Sequence, residues 1–170
     1  AGGGGDYTSF KTGWDANKQD LVAGGNNIVF ELSGDLRNTD AFVDANGYTT
    51  SLSNNISIVA KAGEEATSIA GAGVIYGTNT YMIVARDKDI TFDGIEIDGW
   101  TIAAFAATKL VISNCLLHSN SSAGVSQSVG TKANNTIIYN TGKNTLRDAD
   151  CDKVTIVESG GFGLLFRGAA

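Results

Sequence analysis

The feature that most constrains this chain is a repeat. Written in register, residues 90–100 (ITFDGIEIDGW), 110–120 (LVISNCLLHSN) and 130–140 (GTKANNTIIYN) recur at an interval of 20. Gly94, Asn114 and Asn134 then fall in one column, Ile97, Leu117 and Ile137 in a second, and Asn120 with Asn140 in a third. A further unit, residues 151–166 (CDKVTIVESGGFGLLF), continues the pattern with a register fixed to within a residue or two. Each unit reads as a short strand, one or two residues able to enter the left-handed region, and a second short strand. Such a unit cannot bury its apolar side alone, so units must stack, which is the logic of a solenoid. Ile97, Leu117 and Ile137 are expected to fill the interior of that stack, and the Asn columns to bond one another along the turns.

Composition agrees with many short strands. The chain has 22 Gly, no Pro and 8% aromatic residues, and it is rich in Ile, Val and Thr, a mixture suited to strands joined by tight turns. Its 170 residues, 42% hydrophobic against 18% charged, supply one core. The expected organisation is a glycine-rich arm over residues 1–5 and a single domain over 6–170. A leucine-rich repeat is the competing solenoid, since LVISNCLL carries an L-x-L-x-x-C-x-L string. That repeat needs a leading L-x-x-L and a persistent Asn after the strand, and the neighbouring units keep neither. A turn between two strands of each unit suits three strands per unit, and so a right-handed parallel β-helix.

The front of the chain reads differently. Tyr7, Phe10, Trp14 and Leu21 fall on one face of a helix between Tyr7 and Val22. Asp6, Thr8 or Ser9 can cap its start, Gly24–Gly25 ends it, and Gly13 is a weak point. Residues 27–32 (NIVFEL) alternate as a half-buried strand, residues 33–55 are loop-rich, and Ile56–Ala60 is a further strand. The short helix is expected to cap the N-terminal end of the stack through Phe10 and Trp14. Phe162, Leu164, Leu165 and Phe166 would be covered at the other end by partners or by the last unit. The arm AGGGG has no side chains with which to pack, so its ordering calls for a neighbouring subunit or a fold back over its own domain.

Charge and motifs exclude several function classes. A net charge of −6 with 12 Lys plus Arg gives no basic patch for nucleic acid or an anionic membrane. No stretch approaches the roughly 18 apolar residues of a membrane span, and the start lacks the layout of a signal peptide, so a soluble chain made in the host cytoplasm is expected. Cys115 and Cys151 form neither a disulfide framework nor a metal spacing, and both are expected as buried thiols. His118, the single histidine, cannot build a multi-His metal site. It falls in the column of Asp98 and Ile138, and no Ser-His-Asp or Cys-His pairing accompanies it.

The opening GGDYTSFKTGWDANKQDLVAGGNNIVFELSGDL, with DITFDGIEIDGW and KLVISNCLLHSN, resembles the pectate-lyase-like β-helix superfamily. The resemblance implies a capping helix, a first strand, and stacked units over nearly the whole chain. It also names the chemistries to look for. Lyases of this fold use an acidic Ca²⁺ site with an Arg base; Asp93, Glu96 and Asp98 supply acids, but Arg86 precedes the strand and Arg147 lies on another turn. The hydrolases carry N-T-D and three further motifs; Asn38-Thr39-Asp40 matches the first alone. The esterase set of two Asp and an Arg around a Gln is not visible. Asp148, Asp150 and Asp152 alternate in RDADCD without the Gly and distant Glu of an EF-hand loop.

With the catalytic sets missing, no catalytic, cofactor or metal residue is assigned and no cofactor is expected. A short, acidic β-helical chain with a glycine arm and an apolar C-terminal string (GGFGLLFRGAA) resembles the bacteriophage virion members of that superfamily. The resemblance implies a non-enzymatic virion protein, a capsid decoration (cement) or tail-associated protein, forming a homotrimer and binding the major capsid protein or another virion component. The alternative is a polysaccharide-binding or polysaccharide-degrading β-helix protein.

Overall fold

A computed structural model describes residues 7–36, 43–67, 73, 75–77, 81–84, 88–99, 101–103, 110–119, 125–126, 131–141, 146–147, 149–159 and 164–165. The arm 1–5, Asn38–Asp40, Arg86, Asn120, Asp148, Phe162 and Phe166 lie outside them. Two short helices, α1 (Phe10–Ala16) and α2 (Leu21–Gly24), precede the strands. The strands then run β1 (Ile28–Leu32), β2 (Val43–Asp44), β3 (Ile56–Ala60), β4 (Ile75–Gly77), β5 (Tyr81–Val84) and β6 (Ile90–Asp93). After these come β7 (Glu96–Asp98), β8 (Thr101–Ala103), β9 (Leu110–Ser113), β10 (Leu116–His118), β11 (Val125–Ser126) and β12 (Thr131–Asn134). The last are β13 (Ile137–Thr141), β14 (Leu146–Arg147), β15 (Ala149–Asp152), β16 (Thr155–Ser159) and β17 (Leu164–Leu165).

The described chain is mostly β, and the pairings between its strands are parallel. One sheet has the order β1-β3-β6-β9-β12-β15, a second β16-β13-β10-β7-β4, a third β11-β8-β5-β2, and β14 pairs with β17. From β6 onward the chain visits the sheets in rotation, so each strand pairs with strands one unit away. Phe30, Ile58, Phe92, Ile112, Ala133 and Cys151 stand opposite one another across the first sheet. The middle four are fully buried, and the end members, Phe30 and Cys151, are partly so.

The turn between the first two sheets sets the register. Gly94, Asn114, Asn135 and Lys153 all have positive φ, at 72°, 53°, 44° and 53°. Asn is among the few non-glycine residues that enter this region readily. The Asn114 amide donates to Asp93 at 2.7 Å and the Asn135 amide donates to Asn114 at 2.8 Å, which ties three turns together.

This corrects the sequence register by one residue. Asn135, not Asn134, shares the column of Gly94 and Asn114; Asn134 stands in the strand opposite Ser113. Consequently Ile97 and Leu117 pair in register with Ile138, which is fully buried, while Ile137 pairs with Leu116 and is only partly covered. Either Asn of the pair can turn left-handed, so the string alone admitted both alignments. A one-residue slip exchanges the two faces of a strand, and burial of Ile138 decides between them.

The helix reading holds in outline and breaks in the middle. Ser9 caps α1, its hydroxyl accepting from Thr12 N at 3.1 Å, and Gly25 ends α2 at φ 64°. Residues 17–20 interrupt what the periodicity read as one helix. Seven residues are too few to hold a helix alone, so packing must stabilise α1. Phe10 and Trp14 supply it: their rings lie 5.6 and 5.2 Å from Phe30, the Trp14 indole donates to Asp44 O at 2.9 Å, and the Tyr48 hydroxyl donates to Trp14 O at 2.7 Å. The helix thus covers the first strand, as its aromatic residues predict; Tyr7 instead stays nearly half exposed.

Leu117→Ala should cost about 2–5 kcal/mol in urea unfolding, and Ile138→Ala a comparable amount. Ile137→Ala should cost clearly less, because its side chain lies on the other face. A loss at Leu117 below roughly 0.5 kcal/mol, the scale of an exposed site, would refute this packing.

Candidate functional site

The second sheet gathers the polar side chains that sequence reasoning left apart. On β7, Glu96 and Asp98 project from one face, two residues apart. His118 on β10 stands opposite Asp98, and Tyr139 on β13 stands opposite His118. His118 therefore shares its column with Tyr139 rather than with Ile138, the same one-residue correction. Its imidazole lies flat against the Tyr139 ring, with centroids 4.8 Å apart and planes 10° from parallel.

Glu96 is nearly fully buried, and a carboxylate in that position must be compensated. His118 supplies the compensation: Nε2 lies 2.8 Å from Glu96 Oε1. The second ring nitrogen, Nδ1, lies 2.9 Å from the Ser119 hydroxyl and 3.4 Å from Asp98 Oδ1. The imidazole thus lies between two carboxylates and reaches one of them at hydrogen-bond distance. Ser119 has positive φ, 56°, as does Gly99 at 78° in the equivalent turn one unit earlier. Burial, with the charges of Glu96 and Asp98, raises the Tyr139 phenol above its ordinary range.

The remaining acids lie elsewhere. Asp93 accepts from Asn114 in the turn column. Asp150 and Asp152 lie exposed on β15, with Asp150 3.9 Å from the Lys132 ammonium. No group of three His, Cys, Asp or Glu side chains placed to hold a metal ion occurs among the described residues. Arg147 lies on β14, in a different sheet from Glu96 and Asp98. Asp89 is a further buried acid, one that belongs to no motif: its backbone N–H bonds Thr50 Oγ1 at 2.9 Å, and its Oδ1 has no partner among the described residues.

Neither cysteine is in a disulfide, and the two differ in burial. Cys115 sits inside the stack, donating to Ser113 O at 3.1 Å, and burial pushes its thiol up to about 12. Cys151, expected as buried, is only partly so, because β15 is the last strand of its sheet. Burial, and after it the charge of Asp150, raises the Cys151 thiol as well.

Sequence spacing placed Glu96 with Asp98 and set His118 in the Asp98 column. It missed the Glu96–His118 contact, which crosses between neighbouring units diagonally. An isolated His one unit after a Glu-x-Asp string is the signal that would have found it. The chain matches no family model, no curated protein and no solved structure.

Two measurements test this site. His118→Ala leaves the buried Glu96 carboxylate without its imidazole and should cost about 3–5 kcal/mol, part of which Glu96→Gln in the same background restores. If the two changes are simply additive, the contact carries no coupling. In the native protein at pH 8 a thiol reagent should modify Cys151 slowly and leave Cys115 untouched until unfolding, since the thiolate is the reactive form.

Proposed function

We propose that this chain is a right-handed parallel β-helix that serves as a non-enzymatic structural component of a bacteriophage particle. On this reading it is a capsid decoration or tail-associated protein, a homo-oligomer with a trimer as its assembly, and it binds the major capsid protein or another virion component. The rotation of the chain through parallel sheets supports the winding. The resemblance of the opening segment and of the repeat to the pectate-lyase-like superfamily bears on the fold; the acidic balance, the glycine arm and the apolar C-terminal string, which resemble those of bacteriophage virion members, support the phage attribution.

One observation carries the structural role: two of the three acids on β6 and β7, Asp93 and Glu96, are committed to holding the stack. Asp93 belongs to the Asn column, and Glu96 is buried against His118. A carboxylate fixed in this way is not free to bind a cation or to move a proton on a sugar. Among the described residues no helix is long and apolar enough to cross a membrane, and the acidic balance gives nucleic acid no complementary surface.

Native mass spectrometry should return an oligomer, and purified protein should bind particles that lack it, saturating at a fixed number of copies. A monomer that does not bind such particles would reject the reading. Incubation with polygalacturonate or alginate should release neither unsaturated nor reducing ends. Release that disappears in Glu96→Gln or Asp98→Asn would instead favour the polysaccharide-degrading alternative.

A further inference from the structure

Among the described residues the first strand of the six-stranded sheet has a free edge: β1 ends the strand order and pairs there with β3 alone. Ile28 N donates to Asn55 O at 3.1 Å and Leu32 O accepts from Lys61 N at 2.8 Å, so the even-numbered residues of β1 turn their main-chain groups toward β3. In a parallel ladder the next residue faces the other way. The N–H and C=O of Val29 and Glu31 therefore point outward, and none of these four groups has a hydrogen-bond partner among the described residues.

These groups open into a cleft of about 530 Å³ between β1 and α1. Tyr7, Phe10 and Gly13 line it, as do Leu36 and Lys61. A Cβ at position 13 would come within 2.9 Å of the Tyr7 ring, so the missing side chain lets the ring approach α1 closely. Two of the lining residues are apolar and exposed, Tyr7 at 45% and Val29 at 62%. An unpaired strand edge beside exposed apolar groups is a place where another chain adds a strand.

We propose that this cleft receives the glycine-rich segment Ala1–Gly5 of a second copy of the chain, laid along β1 as an added strand; this rests on the homo-oligomeric reading above. A ligand without side chains suits a slot that offers main-chain groups on one wall and a helix on the other. Five extended residues span about 17 Å, the length of β1 itself. Ordering glycines costs more backbone entropy than ordering any other residue, and in cis only hydrogen bonds would offset it. In trans the body of the neighbouring copy also covers Tyr7 and Val29, which supplies apolar burial that the glycines cannot.

The test uses the full chain with Cys151→Ser, so that no partly exposed thiol competes. Chains carrying Gly3→Cys are mixed with chains carrying Glu31→Cys and oxidised gently, and the linked peptides are identified by mass spectrometry. The expected product joins residue 3 of one chain to residue 31 of another. Val29→Pro removes an outward N–H without touching the β3 ladder, and should weaken self-association at least tenfold. A doubly substituted chain that closes its disulfide within one molecule, with no link between the mixed chains, would overturn the proposal in favour of docking in cis. An oligomer that survives Val29→Pro unchanged and yields no 3–31 link would overturn the docking while leaving oligomerisation intact. If the unmodified protein is monomeric throughout, the oligomeric reading fails and the proposal with it.

Discussion

The structure depends on one backbone requirement, repeated from unit to unit: a residue in the left-handed region between the strands of the first and second sheets. Gly94, Asn114, Asn135 and Lys153 meet it. Two of the four are Asn, which enters that region at lower cost than most side chains and can also bond the turn above and below. Everything downstream of the turn follows from its position. The residue after it, Ile95, Cys115 or Thr136, is buried, and the strand beyond continues the parallel bonds through Leu116 N to Ile95 O and Ile137 N to Cys115 O. Lys153 is the exception in chemistry, since its side chain has no special tolerance of positive φ, and it occurs where the first sheet ends.

A second constraint acts on the outer face of the second sheet. The inner column, Ile97, Leu117 and Ile138, is apolar and buried. The outer columns hold Glu96 and His118, almost as well buried yet charged or polar. Burying a carboxylate without an aligned partner would outweigh several apolar contacts, so the distance of 2.8 Å between them is as necessary to this part of the fold as the aliphatic column. Such pairs add little net stability compared with well-packed apolar residues, but they penalise every other register. Slipping β10 by one residue against β7 would separate imidazole from carboxylate and strand both.

How much of this was legible in the sequence depended on distance along the chain. The cap around Phe10 and Trp14, the strand at Ile28–Leu32 and that at Ile56–Ala60 are written in local periodicity and in turn residues, and they form as read. The interval of 20 between units announced stacking. The exact column did not follow, because Asn134 and Asn135 are chemically the same and β13 has Ile at both 137 and 138. The break between α1 and α2 was hidden for a similar reason: Leu21 keeps the helical offset, while Asp20, which bridges to Thr49, starts a new cap. The Glu96–His118 contact joins residues 22 positions apart and becomes visible only once the register is known.

The rotation of strands among the sheets gives the chain an unusual relation between length and integrity. Among the described residues a strand pairs with its counterparts one interval earlier and one interval later, so an interior strand has matching edges on both sides. The observed intervals in the turn column, 20, 21 and 18 residues, already differ, and the ladders remain in register because the surplus is absorbed between strands. A descendant could therefore gain or lose one whole unit and still close its ladders, with the cap and the final strands unchanged. Its reach, rather than its fold, would be the property that varied.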